Sequence, residues 1–123
     1  RLNAMTVRDS YPLPEIEECL DTLSGSSLFT ALDLNHGYHQ LQLDVHDKPK
    51  TAFITKYGLF HYHRLSFGLC NALSLFQRAM ELVLRGLQWH TVLVYIDDVL
   101  ITGSSFREHL ERLREVLLRL RQH

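Results

Sequence analysis

Three aspartates stand out because each ends or interrupts an apolar segment. Asp97 and Asp98 lie between the apolar runs 92–96 and 99–101, and Asp33 follows the largely apolar residues 28–32. Side chains alternate along a strand, so Asp97 and Asp98 can share a site only if the chain turns there. Taken alone, the run favours a hairpin turn and a metal site equally, because Asp is also a common turn residue.

Asp33 shifts this balance towards a metal site. Two carboxylates held close together repel each other unless one takes up a proton or a cation lies between them. Three carboxylates at strand ends can hold two hard cations, and two such ions about 4 Å apart serve in-line phosphoryl transfer. Because the set contains no His or Cys, it suits Mg²⁺ better than zinc, with Mn²⁺ as the alternative ion.

Helices and short strands must position these acids. The predicted elements are a helix over 15–23, a strand over 28–34, a short irregular or helical piece over 37–42, hairpin strands over 51–55 and 58–66, a helix over 72–87, strands over 92–96 and 99–101, and a last helix. Asn71 is a plausible N-cap of the 72–87 helix, and Ser105 with Glu108 gives the capping-box pattern for the last one. This order predicts an α+β domain with a mainly antiparallel sheet flanked by helices.

Hydrophobic spacing divides each of the two long helices into an apolar and a polar face. In the helix over 72–87 the predicted buried residues are Phe76, Met80, Val83 and Leu87. In the last helix, one face carries the apolar residues Phe106, Leu110, Leu113, Leu117 and Leu120. Arginines and glutamates occupy the rest of the last helix, which is typical of a solvated face.

Composition limits the class of protein. The chain has 123 residues, of which 46% are hydrophobic and 22% charged, as expected for one globular domain. No apolar run approaches the ~20 residues that span a bilayer, so no membrane partner is expected. Cys19 and Cys70 match no metal or redox spacing and are interpreted as reduced thiols of an intracellular protein. Because the net charge is −1, we expect much of the electrostatic attraction to any bound nucleic acid to come from residues outside this chain.

The chain resembles the reverse transcriptases of gypsy-type LTR retrotransposons and, more distantly, the retroviral enzymes. The resemblance rests on six ordered blocks that cover nearly the whole chain. They are LNA (2–4) with YPLP (11–14), LDL (32–34) with GYHQ (37–40), KTAF (50–53), FGLCNA (67–72) with FQ (76–77), YIDD (95–98), and EHL (108–110). A lone YIDD motif would be weak support, whereas six blocks in family order make a strong signal.

The resemblance implies roles for the matching residues. Asp33 and Asp97 are implied as the principal metal ligands, with Asp98 adjacent and contributing charge. The backbone carbonyl of Leu34 is implied as a ligand of the metal on the triphosphate side. Tyr38 matches the aromatic gate that excludes a 2′-hydroxyl and so selects deoxynucleotides.

Further positions are implied to line the nucleotide pocket or to contact nucleic acid. Phe67 and Gly68 match the segment that lines the nucleotide pocket. Gln77 and Arg78, on the polar face of their helix, are expected near template or primer, and Tyr95 and Ile96 near the primer end. The implied cofactors are two Mg²⁺ ions, and the implied partners are a primed RNA or DNA template and deoxynucleoside triphosphates.

The implied architecture is a polymerase palm with part of the fingers over residues 1–123. Upstream fingers, thumb, connection and RNase H parts are expected elsewhere in a retrotransposon polyprotein. The chain begins without Met and stops within a helical pattern, so we expect a fragment of a longer protein. The implied location is the cytoplasm, with a virus-like particle as a further setting.

Two departures from the family pattern motivate an alternative function. Leu73 stands where the family usually has Pro, and Leu65-Ser66 replaces Met-Pro. These changes flank the nucleotide pocket, so the alternative is a catalytically inactive relic or domesticated fragment that acts as a binding or structural module.

The histidines supply a third hypothesis, which is a zinc-binding domain. Zinc sites are commonly built from four ligands that include His. The candidate ligands are His36, His39, His61 and His63. No block of the family pattern predicts such a site.

Overall fold

The computed structural model describes all residues from Arg1 to His123, which form two units. Unit 1 comprises Arg1–Ser10 and Asn35–Phe76, and unit 2 comprises Tyr11–Leu34 and Gln77–His123. Helix α4, Ala72–Val83, contributes residues to both units. No helix in the chain is long and apolar enough to cross a membrane.

Unit 2 is built on three strands, β1 (Leu28–Asp33), β4 (Val92–Tyr95) and β5 (Asp98–Gly103), and its other helices are α2 (Ile16–Leu23) and α5 (Phe106–Gln122). The strands form an antiparallel sheet in the order β1-β5-β4. The core follows alternate residues of β5, because Val99 and Ile101 are fully buried. Their direct neighbours across the sheet are Val94 and Val92 of β4, which are also buried. The predicted α+β class with an antiparallel sheet is confirmed.

Helix α5 packs on β1 and β5 through a face other than its most apolar one. Its buried residues are His109 and Val116, which lie seven positions apart and therefore on one side of the helix. His109 Nε2 lies 2.7 Å from the hydroxyl of Thr30. A Cβ on Gly103 would come within 2.9 Å of the His109 backbone, so the helix crosses β5 where a glycine permits close approach.

The apolar face of α5 is not its buried face, because the main apolar residues are exposed. Phe106, Leu110 and Leu117 are 69%, 47% and 48% exposed. Spacing alone identifies the most apolar face of a helix, but packing against the sheet decides which face is buried. The Ser105 half of the predicted capping box is confirmed, since Ser105 Oγ accepts the Glu108 backbone N–H at 3.3 Å. The Glu108 carboxylate instead accepts the Ser104 N–H at 2.8 Å.

Helix α4 is shorter than predicted and ends at Val83 instead of residue 87. Leu84 and Leu87 remain buried beyond its end, together with Phe76 and Met80. The chain leaves the helix through Gly86, whose φ of 87° is strained for residues with a side chain.

Unit 1 contains helices α1 (Leu2–Met5) and α3 (Gly37–Gln40), a 3₁₀ turn (Lys48–Thr51) and strands β2 (Phe53–Thr55) and β3 (Gly58–Phe60). The hairpin is shorter than predicted, and every residue of its two strands is exposed. Asn71 does precede α4, as an N-cap would. Its side chain instead binds the N-terminal segment, accepting the Asp9 N–H at 3.0 Å and donating to the Val7 carbonyl at 2.8 Å.

Candidate active site

Two of the three aspartates face each other across the sheet of unit 2. Asp33 is the last residue of β1 and Asp98 is the first of β5, and their Cα atoms are direct partners in the antiparallel register. Tyr95 partners Asp98 from the other side. Directly opposed residues project from the same face of an antiparallel pair, and like charges so placed are destabilising. The pair of exposed carboxylates therefore favours a cation between its members.

The third aspartate lies in the two-residue turn between β4 and β5. Asp97 is half-buried, and its Oδ1 atom is buried without a hydrogen-bond partner. A buried carboxylate oxygen in that state is costly unless a cation or a ligand satisfies it. The donor set of this edge, all carboxylate oxygen, therefore fits a hard divalent ion such as Mg²⁺.

The turn has a strained backbone. Ile96 has a φ of 58°, in the left-handed region. A β-branched residue there costs about 1–2 kcal/mol relative to right-handed backbone. Tertiary contacts must therefore hold the turn, because the local sequence disfavours it.

Gln77 supplies those contacts. It is fully buried, and its Oε1 accepts the Ile96 N–H at 3.0 Å. Its Nε2 donates to the Val94 carbonyl at 3.0 Å and to Glu81 Oε1 at 2.9 Å. Both amide hydrogens are thus used, and the carboxamide bridges the end of β4 and the turn that carries Asp97.

The sequence-based placement of Gln77 on the polar face of α4 is therefore wrong, because the residue lies in the interior. A signal was present in the sequence. Gln77 is three residues before Met80 and seven before Leu84, which is the spacing of the buried face. The position of Gln77 in the helix therefore predicts its burial better than its polar side chain does.

Arg78, Tyr95 and Ile96 were also expected at nucleic acid. Arg78 is exposed on α4, and its guanidinium carbon lies 4.7 Å from the centre of the Tyr11 ring. Tyr95 and Ile96 are half-buried at the end of β4 and in the turn. Both residues therefore adjoin the edge of the unit 2 sheet that carries Asp33, Asp97 and Asp98, which is called the acidic edge below.

The expected nucleotide-pocket residues Tyr38, Phe67 and Gly68 lie in unit 1. Tyr38 is 6% exposed, and its ring packs edge-on against Phe67 at 4.6 Å and tilted against Phe76 at 5.0 Å. These contacts fix the Tyr38 ring in one orientation. Phe67 itself is 65% exposed, which leaves an aromatic surface open next to the buried tyrosine. Leu34, whose carbonyl was the implied metal ligand, directly follows β1 in unit 2.

The turn around Gly68 is held by Asn3, for which the sequence patterns predict no role. Asn3 Nδ2 donates to the Gly68 carbonyl at 2.7 Å, and Asn3 Oδ1 accepts the Cys70 N–H at 3.0 Å. Gly68 has a φ of 88°, which glycine adopts without strain. Asn3 belongs to the first of the six sequence blocks, LNA (2–4). Its hydrogen bonds to this turn give that block a structural role.

Of the two departures from the family pattern, Leu65-Ser66 is buried and Leu73 is partly exposed. Leu65 and Ser66 are 3% and 5% exposed, and the Leu65 N–H donates to the Leu41 carbonyl at 2.9 Å. Leu73 is half-buried in the first turn of α4. These positions therefore serve the packing of unit 1.

The four histidines of the zinc hypothesis line one shallow groove of about 490 Å³ in unit 1. The ring centroids of His61 and His63 are 5.1 Å apart, and those of His36 and His39 are 6.0 Å apart. Nowhere in the chain do three or more His, Cys, Asp or Glu side chains lie close enough together to hold a metal ion.

The absence of a cluster of three or more ligands has different consequences for zinc and for Mg²⁺. Structural zinc needs four protein ligands, so the histidine groove lacks what such a site requires. Mg²⁺ commonly takes one or two carboxylates and completes its shell with water and substrate phosphates. The acidic edge therefore remains suited to Mg²⁺ although its three carboxylates do not form a closed cage.

Comparison with known proteins gives consistent matches. The family model for reverse transcriptase (RNA-dependent DNA polymerase) matches residues 1–123. The chain is 42% identical over 120 residues to the Pol polyprotein of transposon 297, and 43% identical over 117 residues to that of transposon gypsy, both from Drosophila melanogaster. These matches cover 98% and 95% of this chain but 11% of each relative. An RNA-directed DNA polymerase homolog of Oenothera berteroana is 39% identical over 118 residues, which are 94% of this chain and 83% of that relative.

Solved structures agree on the fold. The protease-reverse transcriptase of prototype foamy virus, in a mutant form, matches with a TM-score of 0.84 at 24% identity, over 98% of this chain and 16% of that one. The native form matches with a TM-score of 0.70 at 28% identity, over 76% and 12%. A foamy viral protease-reverse transcriptase solved with an RNA/DNA hybrid matches with a TM-score of 0.83 at 21% identity, over 96% and 16%.

Proposed function

The chain belongs to the reverse transcriptase family, and we propose that it forms the palm and part of the fingers of an RNA-directed DNA polymerase. It would act within a longer polyprotein, since the chain spans about a tenth of the length of its transposon relatives. In this reaction the 3′-hydroxyl of a primer on a nucleic-acid template attacks the α-phosphate of a deoxynucleoside triphosphate, and pyrophosphate leaves. One observation carries the proposal: a buried, unpartnered Asp97 oxygen lies in the turn next to the Asp33–Asp98 pair.

In this proposal the acidic edge holds two divalent ions. Asp33 and Asp97 are the principal ligands, Asp98 adds negative charge, and the Leu34 carbonyl completes the protein's share. Bound Mg²⁺, or Mn²⁺ in its place, would polarise the phosphoryl group and stabilise the negative charge on the attacking and leaving oxygens. The strained turn and the Gln77 contacts keep Asp97 in place before any substrate arrives, which lowers the reorganisation that binding requires.

Tyr38 serves as the gate for the sugar in this proposal. Its ring packs against Phe67 and Phe76, and this packing would oppose a movement that admits a further oxygen atom. Phe67 and Gly68 would line the nucleotide pocket. Arg78, Tyr95 and Ile96 would contact primer or template, while Gln77 would act through the turn.

A chimaera tests the function. Residues 1–123 replace the matching segment of the transposon gypsy polyprotein, with the unmodified polyprotein as the control. We expect Mg²⁺-dependent extension of a DNA primer on an RNA template. An inactive chimaera that still folds, beside an active control, would favour the inactive-relic alternative. The 123 residues alone are expected to be inactive, because they span so small a part of the relatives.

The gate is tested in the same chimaera. Tyr38→Ala opens space beside the sugar, so ribonucleotide incorporation should rise relative to deoxynucleotide incorporation by at least about tenfold. Tyr38→Phe keeps the ring and should leave the ratio unchanged. An unchanged ratio in Tyr38→Ala, measured by single-nucleotide incorporation, would show that Tyr38 is only a core aromatic.

A further inference from the structure

Two polar residues of unit 2 extend the contacts of Gln77 away from the acidic edge. Glu81 lies one turn after Gln77 on α4, and its Oε1 accepts the Gln77 amide at 2.9 Å. The other carboxylate oxygen of Glu81 accepts the hydroxyl of Tyr11. Tyr11 and Glu81 have no part in the site proposed above, yet they are joined to its turn through one buried side chain.

The orientation of the Gln77 carboxamide depends on Glu81. A glutamine amide can flip by 180°, which exchanges its donor and acceptor ends. In the observed orientation, Nε2 faces two acceptors and Oε1 faces the Ile96 N–H. In the flipped orientation the oxygen would face the Val94 carbonyl and the Glu81 carboxylate, and the NH₂ group would face another N–H. Charge-assisted hydrogen bonds are the stronger kind, so the carboxylate is the main group that selects one orientation.

Tyr11 fixes the carboxylate in turn. Its hydroxyl donates to Glu81, and the Arg78 guanidinium carbon lies 4.7 Å from the centre of its ring. Residues 78 and 81 are one helical turn apart, so α4 holds the tyrosine at both its ring and its hydroxyl. Pro12 follows directly and restricts the backbone of Tyr11 to extended conformations. The tyrosine is thus placed before it makes the contact.

We propose that Glu81, held by Tyr11, is a positioning residue that sets the amide orientation of Gln77 and so holds the Ile96–Asp97 turn. Its consequence for catalysis rests on the proposed function of this edge. The effect on the turn itself does not, because it concerns hydrogen bonds within the folded chain. The two can therefore fail separately.

Hydrogen exchange of the Ile96 backbone amide, followed by NMR in the 123-residue chain, tests the proposal. Glu81→Leu should speed that exchange about tenfold, because Gln77 is no longer held to one orientation. Glu81→Gln can still accept from Gln77 and should stay within about twofold of the parent chain. Tyr11→Phe should give an intermediate increase. Glu115→Leu, an exposed glutamate of α5, is the matched control and should change nothing.

The β5 amides of Val99 and Ile101 separate positioning from general stability. We expect their exchange to stay unchanged in Glu81→Leu while that of Ile96 rises. An equal rise at all three amides in both Glu81→Leu and Tyr11→Phe would overturn the proposal, and so would no change at Ile96. If Glu81→Leu fails to fold, Tyr11→Phe decides, since it keeps the carboxylate and the ring.

The catalytic consequence is read in the transposon gypsy chimaera. Glu81→Leu should lower kcat for primer extension several-fold with little change in the KM for template, and Glu81→Gln should restore it. An unchanged kcat in Glu81→Leu, despite faster exchange at Ile96, would overturn the link to catalysis. An inactive parent chimaera would count against the proposed function and leave the exchange result standing.

Discussion

The hairpins β4–β5 and β2–β3 have similar local form and opposite surroundings. Both are antiparallel and both close with a two-residue turn, at 96–97 and 56–57. In β4–β5 the inward residues Val99 and Ile101 are fully buried, whereas Ile54 and Leu59 of β2–β3 are 82% and 72% exposed. The hairpin that carries the candidate chemistry is therefore the one built into the core.

The turns differ in how they are held. In β2–β3 the Tyr57 N–H donates to the Thr55 hydroxyl at 3.1 Å, two residues away, and Gly58 takes the positive φ. In β4–β5 a β-branched Ile96 takes the positive φ, and the Gln77 side chain, nineteen residues away, accepts its N–H. The first turn is held by a local contact, whereas the second is held by a side chain of the distant helix α4. A turn of that kind can present Asp97 in a fixed place.

The largest expected effect on stability comes from removing the distant support. Gln77→Leu leaves the Ile96 N–H and the Val94 carbonyl unsatisfied in the interior, which should cost about 2–4 kcal/mol of unfolding free energy. Gln122→Leu, at the exposed end of α5, should cost under about 0.5 kcal/mol. Urea unfolding of both variants checks this, and equal stabilities would remove the contrast between the two turns.

A smaller effect is expected from truncating the strands themselves. Val99→Ala leaves a cavity among fully buried neighbours and should cost roughly 2 kcal/mol. Leu59→Ala removes more atoms but from an exposed site, so it should cost under about 0.5 kcal/mol. Thermal unfolding of the two variants measures the difference, and a larger loss in Leu59→Ala would mean that β2–β3 is covered in solution.

The smallest effect concerns the start of α5. Hydrogen bonds from Ser104 and the charge of Arg112 hold the pKa of the Glu108 carboxyl below its ordinary value. A lowered folded-state pKa adds stability above the ordinary pKa, and this is lost as pH falls through the lowered value. Glu108→Gln should therefore flatten the acid limb of the stability curve slightly. An unchanged limb, in unfolding measured at several acid pH values, would show that these contacts do not persist in solution.

Much of the fold could be predicted from the sequence, because many of its helices and strands have recognisable local sequence patterns. Helix α2, strand β1 and the Ser105 cap of α5 follow from local spacing and capping residues, and the structure contains them. The buried face of α5 could not be predicted, because the large apolar residues of the helix are concentrated on another face than that of His109 and Val116. The buried face includes His109, where the helix approaches Gly103 closely.

In the candidate site too, local sequence patterns identify some residues, and distant contacts determine the roles of others. The aspartates could be identified from their places at the ends of apolar runs, and the register of β1 with β5 pairs Asp33 with Asp98. The roles of Gln77 and Asn3 could not be predicted. Each acts through hydrogen bonds to backbone 17 to 67 residues away, which no local pattern encodes.

Primer extension by an Asp97 variant tests the central claim most directly. In the transposon gypsy chimaera, Asp97→Asn keeps the size of the side chain and removes its charge, so extension should fall more than about 1000-fold while template binding persists. Asp21→Asn, an exposed acid of α2, is the matched control and should extend normally. Extension by Asp97→Asn at the rate of the parent chimaera would contradict the assignment of this edge as the catalytic metal site.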